Sequence, residues 1–242
     1  MRGQYRGDLR RPRSRPGRPC PPGAKAVVLD SGAGGDWGGA RGARRLVSGK
    51  EGAMSEQAPL LVIVSGPGAS GKSTLARRLA GALALARLSR DELTELLADL
   101  LGTDGLPRTE ELGRAAFGLM YALGERFLQD GAGVVLDQAF QRGIAEAQLA
   151  PLVARARAVQ VHCWLPPEEC VRRYVARYER GERHAAHFDG ERIARVRSGA
   201  RRIDWSRFEP LDLGVPTLRV DTWRGYRPDF QTILAFVRSG GR

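Results

Sequence analysis

Residues 66–73 read Gly-Pro-Gly-Ala-Ser-Gly-Lys-Ser, and the apolar run Leu60-Leu61-Val62-Ile63-Val64 leads into them. A short unbroken apolar run is the mark of a strand buried on both faces. The three glycines let the backbone bend until its N–H groups converge, and a helix opening at the lysine adds partial positive charge at the same point. Gly-x-x-x-x-Gly-Lys-[Ser/Thr] between strand and helix therefore predicts a phosphate-holding loop. Its expected segment is Gly66, Pro67, Gly68, Ala69, Ser70, Gly71, Lys72, Ser73 and Thr74. Lys72 is expected to reach the β- and γ-phosphates of ATP, and the Ser73 hydroxyl to ligate Mg2+. Lysines occur only at 25, 50 and 72, so the phosphate-loop lysine stands in a chain that otherwise uses arginine. Arginine would serve poorly there, because such a loop wraps a compact ammonium and not a planar fork.

Downstream, the pattern alternates between strands and helices. Leu75, Leu79 and Leu83 predict a helix over about 72–84, and 86–89 a second strand. A helix from near Asp91 should bury Leu93, Leu96, Leu97 and Leu100. A long helix over 109–130 should bury Leu112, Ala116, Leu119, Leu123 and Phe127, with Gly131 as its C-cap. Strands are expected over 133–137, 158–164 and 217–220. Pro167-Glu168-Glu169 opens a helix whose buried face would be Val171, Tyr174, Val175 and Tyr178. A last helix covers about 230–237. The expected fold is α/β, with a five-stranded parallel sheet and helices on both faces, and ligands bound at the strands' carboxyl edge.

Charge is uneven. Residues 1–53 hold 12 Lys/Arg and 4 Asp/Glu, a net of +8, while residues 54–242 hold 27 and 23, a net of +4. A polyanion-binding reading therefore rests on the tail and not on the fold. The tail is rich in Gly, Arg and Pro, buries little apolar surface and is expected to be disordered, with only Ala26-Val27-Val28-Leu29 resembling a strand. Met54, followed by Ser-Glu-Gln-Ala-Pro and a strong strand, is the expected true start. Cys20, Cys163 and Cys170 match no metal or disulfide framework, which fits a reducing cytoplasmic setting, and Cys163 reads as a buried small hydrophobe. Neither a membrane-spanning run nor a signal peptide is evident.

The missing motifs narrow the class. Guanine switches need Asn-Lys-x-Asp, and the chain has no Asn. ABC-type ATPases need Leu-Ser-Gly-Gly, which is absent. Ring ATPases end the third strand in Asp-Glu, and here the pair is Asp137-Gln138, so hydrolysis as the main activity is disfavoured. Phosphoryl transfer fits better. Asp91 follows the second strand, beside the phosphate loop, where a carboxylate can accept an acceptor hydroxyl's proton; a plain helix N-cap is compatible with that role. Arg177, Arg180 and Arg183 suit a mobile lid that balances transition-state charge, whereas Arg172 and Arg173 read as a solvated face. For His184 and His187, a lid-closing hydrogen bond to Asp189 or to a substrate phosphate is preferred to a metal pair. Core packing is the default for Phe117, Tyr121 and Phe140, and an acceptor pocket is the alternative.

Residues 60–222 resemble P-loop kinases of the AAA-family group, similar to phage polynucleotide kinases, chloramphenicol phosphotransferases and zeta-toxin kinases. The matching pieces are Ser65 to Thr74, Leu88-Ser89-Arg90-Asp91-Glu92-Leu93, Val134 to Asp137, Arg177 to His187, and Val220-Asp221-Thr222. The resemblance implies a nucleoside-monophosphate-kinase-like domain over 54–242 with an Arg-bearing lid. It also implies Asp91 as the acceptor-activating base and Asp137 facing the acceptor or metal, with Arg90 on the acceptor side. The acceptor is expected to be a small molecule or nucleotide. The chain departs from polynucleotide kinases at Thr94, where they carry an acceptor-gripping Arg, which weighs against nucleic acid. It departs again at Ala185-Ala186, where close relatives carry Pro-Gly. Two alternatives are a polynucleotide 5′-hydroxyl or toxin-like sugar-nucleotide kinase, and a regulatory module that binds or hydrolyses ATP without an acceptor. Mass spectrometry of the native protein is expected to find a start at Met54, and peptides from residues 1–40 would contradict that.

Overall fold

The computed structural model describes residues 58–200 and 202–242, so the expectations for residues 1–53 and for the start at Met54 lie outside it. The strands are β1 (Leu60–Ser65), β2 (Ala86–Ser89), β3 (Val134–Asp137), β4 (Arg157–Trp164) and β5 (Thr217–Asp221). The helices are α1 (Lys72–Leu83), α2 (Arg90–Leu101), α3 (Leu106–Gln129), α4 (Glu146–Val153), α5 (Pro167–Glu179), α6 (Asp189–Arg197) and α7 (Phe230–Ser239), with one-turn helices at Ala185–His187 and Trp205–Phe208. All strand pairs are parallel, in the order β2-β3-β1-β4-β5. After β1 the chain builds first on one side of it and later on the other, so the switch point lies at the end of β1.

Alternation along the strands splits the core in two. Val62, Val64, Val135, Val159 and Val161 face α1 and α7, meeting Leu75, Leu79, Ile233 and Val237. Leu61, Ile63, Val134 and Leu136 face α3 and α4, meeting Met120, Leu128, Leu149 and Leu152. Both faces are covered, as an all-parallel sheet requires. The expected C-cap holds: Gly131 has φ +78, and the N–H of Ala132 donates to the Phe127 carbonyl at 2.8 Å.

Three expected helix faces are corrected. On α2 the buried residues are Thr94 and Ala98, while Leu96 and Leu100 are 54% and 71% exposed. The α2 contact is made of small groups, because Ala98 packs with Leu112 and the lid residue Ala186. On α3 the buried stripe is Leu112, Gly113, Ala116, Met120, Gly124 and Leu128, which leaves Leu119 and Leu123 exposed. Glycine counts as core there, because a Cβ at Gly124 would already crowd Leu152 at 3.3 Å. On α5 only Glu169 and Cys170 are buried, since the Val171–Tyr174–Val175 face borders an open cleft. The helices α4 and α6 have no counterpart in the periodicity reading.

A buried polar seam ties a loop to the sheet. Gln160 Oε1 accepts the Leu211 N–H at 2.9 Å, and Gln160 Nε2 donates to the Leu211 carbonyl at 3.1 Å and to Thr217 Oγ1 at 2.9 Å. The Ser65 hydroxyl donates to Gln160 Oε1 at 3.3 Å and lies 3.0 Å from His162 Nδ1. Burial pushes His162 down to about 4, so the imidazole is neutral. Replacing Gln160 by Leu strands the Leu211 N–H and C=O, and the expected loss is about 3 kcal/mol, read as a lower urea midpoint at unchanged slope.

Candidate functional site

The turn after β1 depends on two left-handed glycines and one alanine. Gly66 has φ +129, Ala69 +63 and Gly71 +83, so the third left-handed residue is Ala69 and not Gly68. At Gly66 the requirement is absolute: a Cβ would sit 2.2 Å from the Cys163 carbonyl oxygen at the end of β4. The loop is braced from β5, where the Thr222 hydroxyl lies 2.7 Å from the Ser70 carbonyl and 3.1 Å from that of Trp164. Ser70 Oγ is buried inside the loop with no protein partner, an unsatisfied donor beside the cradle. Together with the amides at the start of α1, it suits an anion.

Beside Lys72, the Ser73 hydroxyl donates to Asp137 Oδ1 at 3.2 Å, and Arg87 Nη1 donates to Asp137 Oδ2 at 3.0 Å. Burial raises the Asp137 pKa, against the opposing pull of Lys72, Ser73 and Arg87. Among the described residues no cluster of three or more His, Cys, Asp or Glu side chains could hold a metal alone. One hydroxyl and one carboxylate fit a hard divalent cation that takes its remaining oxygens from phosphate and water. Arg87 escaped the sequence reading, although an arginine in a short apolar strand is itself a signal of a buried carboxylate partner.

Asp91 lies where β2 runs into α2. Its Oδ2 accepts Arg183 Nη1 at 3.0 Å and its Oδ1 accepts Arg90 Nη1 at 3.2 Å. Burial acts to raise its pKa, but Arg183, Lys72, His187 and Arg90 outweigh it and hold the carboxyl well below its usual range. Arg183 Nε also donates to the buried Asp189 at 3.0 Å, and the Tyr174 hydroxyl donates to the same carboxylate. Arg177 stands nearby, its Nε buried without a partner and its guanidinium 5.7 Å from the Tyr174 ring centre. Arg180 is placed elsewhere, paired with Glu182 in solvent. Arg172 and Arg173 clamp Glu169, and Arg173 also reaches the Trp223 carbonyl at 2.8 Å.

The lid histidines close onto α2, which corrects the expected partner Asp189. His187 Nε2 lies 2.7 Å from Glu95, and His184 Nε2 lies 3.0 Å from Asp99, one turn further along α2. Ala186 is fully buried, and its carbonyl accepts the Thr109 hydroxyl at 2.7 Å. Thr94 is also buried, and its hydroxyl donates to its own helix at the Arg90 carbonyl.

Between the loop and the lid lies a cleft of about 1160 Å³. Phe117 and Tyr121 stack on its wall with centres 6.2 Å apart, and Phe140, a core residue, also borders it. Arg90 lies 5.2 Å above the Phe117 ring, in space left by Gly113, where a Cβ would meet Arg90 Nη2 at 2.1 Å. The far wall, 202–208 with Trp205 and Phe208, had no sequence signal.

A five-stranded parallel sheet with this loop at its switch point is a P-loop nucleotide-binding fold of the kinase-like kind. A family model described as an AAA domain matches residues 61–203, more than half of the chain, and the chain belongs to that P-loop family. The chain is similar to the crystal structure of a candidate kinase from Chloroflexus aurantiacus, with 29% identity and a TM-score of 0.64 over 76% of this chain and 98% of that one. It shares its fold with the APS kinase of Mycobacterium tuberculosis, solved with AMPPNP and APS, at 18% identity and a TM-score of 0.50 over 74% and 97%. No curated protein matches the chain in sequence. Among the described residues no helix is long and apolar enough to cross a membrane.

Substituting Gly66 by Ala is expected to push β1 away from β4 at this edge. Thermal unfolding should show a lower Tm together with loss of nucleotide-induced stabilisation, whereas Gly68→Ala, at ordinary φ and with only Tyr174 near at 4.0 Å, should keep both.

Proposed function

We propose that the chain is an ATP-dependent phosphotransferase that moves the γ-phosphoryl group to a hydroxyl of an acceptor seated in the cleft. The observation that carries this reading is the Asp91–Arg183 ion pair. It joins Asp91, where α2 begins and within range of the Lys72 charge, to Arg183, which lines the acceptor-sized cleft. The lack of a glutamate after Asp137 supports transfer over hydrolysis.

Roles follow from charge and position. The loop over 66–74 would hold the triphosphate, with Lys72 drawing charge from the β- and γ-oxygens. Ser73 and Asp137 would hold Mg2+, which would supply positive charge to offset that of the triphosphate. The acceptor oxygen forms the new bond to phosphorus as the bond from phosphorus to the β–γ bridging oxygen breaks, and ADP departs with that oxygen. The acceptor's proton passes to Asp91. Because its pKa is depressed, Asp91 serves chiefly to orient the hydroxyl, and the proton moves late; a loose transition state asks little nucleophile deprotonation. Arg183, and Arg177 with its unpartnered Nε, would neutralise the transferring group. With ATP bound, Arg183 would turn part of its charge from Asp91 to phosphate, freeing the carboxylate for the acceptor. Arg180 would contribute only by moving from Glu182 on lid closure.

Labelled ATP with pooled metabolite, aminoglycoside, sugar-nucleotide and 5′-hydroxyl oligonucleotide acceptors tests the reading. Asp91→Asn is expected to lower kcat by about 10²–10⁴-fold while ATP affinity is nearly kept. Full turnover by that variant would remove Asp91 from the mechanism. Arg183→Ala is expected to lower kcat by about 10³-fold, with a smaller effect on ATP binding; equal losses in both would make Arg183 a nucleotide-binding residue instead.

A further inference from the structure

The charge lining the cleft is one-sided. Seven arginines and two aspartates border it, a surplus of +5, against a net of +4 for all of residues 54–242. Asp91, just outside the lining, pairs with Arg90 and Arg183, which leaves about +4 at the cleft, the size of the whole domain's basic excess. Both aspartates are already engaged, Asp189 by Arg183 and Asp204 by Arg207. Among the described residues, Arg114, Arg192, Arg197 and Arg202 have no carboxylate partner, and the Arg192 Nε rests on the neutral His187 carbonyl at 2.9 Å. Arg114, Arg197 and Arg202 are solvent-exposed, and a one-sided group of charges along a cleft raises the local concentration of anions. ATP does not account for it: only Pro67 and Gly68 of the phosphate loop touch the cleft, while the four arginines come from α3, α6 and the segment before Trp205. Beside the arginines the lining carries flat aromatic faces, with Phe117 stacked on Tyr121 and Trp205 beside Phe208 at 6.3 Å between centres, together with polar Gln138, Gln141 and Gln148. Burial pushes Tyr121 up to about 12, which keeps its ring a neutral surface.

Resting on the kinase reading of the same cleft, we propose that the acceptor is itself an organic phosphate or sulfate with a flat ring system. Its anionic group docks on Arg114, Arg192, Arg197 and Arg202, and its ring lies against the aromatic wall. Guanidinium forks suit a tetrahedral oxyanion through paired hydrogen bonds, and the aromatic faces suit a nucleobase-like ring. The position that grips acceptor phosphate in polynucleotide kinases is here Thr94, turned into its own helix, so the anion is met from α6 and the 202–207 segment instead. This chemistry is shared by a free mononucleotide and by the end of a nucleic-acid strand.

Nucleosides, each beside its own 3′-monophosphate, and a 5′-hydroxyl decanucleotide serve as probes. Each is titrated into the full chain loaded with AMPPNP and Mg2+, and each is assayed for transfer from labelled ATP. The phosphorylated member of a pair is expected to bind at least about tenfold more tightly than the neutral one, the scale of one charge-assisted contact. Arg114→Ala, Arg197→Ala and Arg202→Ala should each pull that ratio toward one by raising KM for the phosphorylated member, with circular dichroism and ATP affinity held constant. Preference for the mononucleotide over the decanucleotide assigns a metabolite acceptor, and the reverse assigns a strand end. Equal or better binding of the neutral members, binding of none, or a ratio indifferent to the arginines overturns the inference. Transfer to neutral members without arginine dependence would do so while leaving the kinase reading intact. Arginine-dependent binding with no transfer would instead remove the kinase reading and keep the ligand class.

Discussion

The turn from β1 into α1 passes so close to the end of β4 that residue 66 has no room for a Cβ, and everything functional is hung from that approach. It brings a run of backbone amides, the start of α1 and the Lys72 side chain to one edge of the sheet. Parallel pairing then sets the other strand ends at the same level. β3 pairs with β1 in register from Leu61–Val134 to Val64–Asp137, which puts Asp137 beside Ser73. β2 pairs with β3 so that Ser89 matches Asp137, and the next two residues are Arg90 and Asp91. β4 pairs with β5 as far as Trp164–Asp221, which delivers Thr222 to the back of the loop. The sheet thus aligns the site, and the loops have little freedom to misplace it.

The second feature is a lid held by polar contacts more than by a core. From α5 through α6, the buried side chains include Asp189, Glu169 and His187, and the contacts onto α2 are Arg183–Asp91, His187–Glu95 and His184–Asp99. Arg183–Asp91 is an ion pair, and a guanidinium can exchange a carboxylate for phosphate, whereas an apolar interface offers no such exchange. A phosphate chain entering beneath can therefore compete for Arg183 and Arg177. The same composition explains why the α5 face that periodicity assigned to the core borders the cleft.

Much of this was legible in the sequence because its signals are local. A strand, a glycine turn and a lysine within fifteen residues specify the phosphate loop, and the two carboxylates brought near it, Asp91 and Asp137, follow or end a strand in the sequence itself. What escaped was relational. The α2 and α3 stripes were misread because small residues, Thr94, Ala98, Gly113 and Gly124, form the tight contacts there, and hydrophobicity does not mark them. The partners of His184 and His187 lie about ninety residues away, on a helix face that reads as ordinary solvated acid. The cleft arginines are brought together only when α3, α6 and the 202–207 segment fold, and no local run of sequence marks them.

The central claim is that Lys72 and the amides around it hold a nucleoside triphosphate. Calorimetric titration of ATP into the protein, with and without Mg2+, for the natural sequence and for Lys72→Ala, tests it most directly. The account predicts Mg2+-strengthened binding that falls by at least about a hundredfold, near 3 kcal/mol, when the ammonium is removed. Equal affinity in the two proteins, or none for any triphosphate in the natural one, would contradict it.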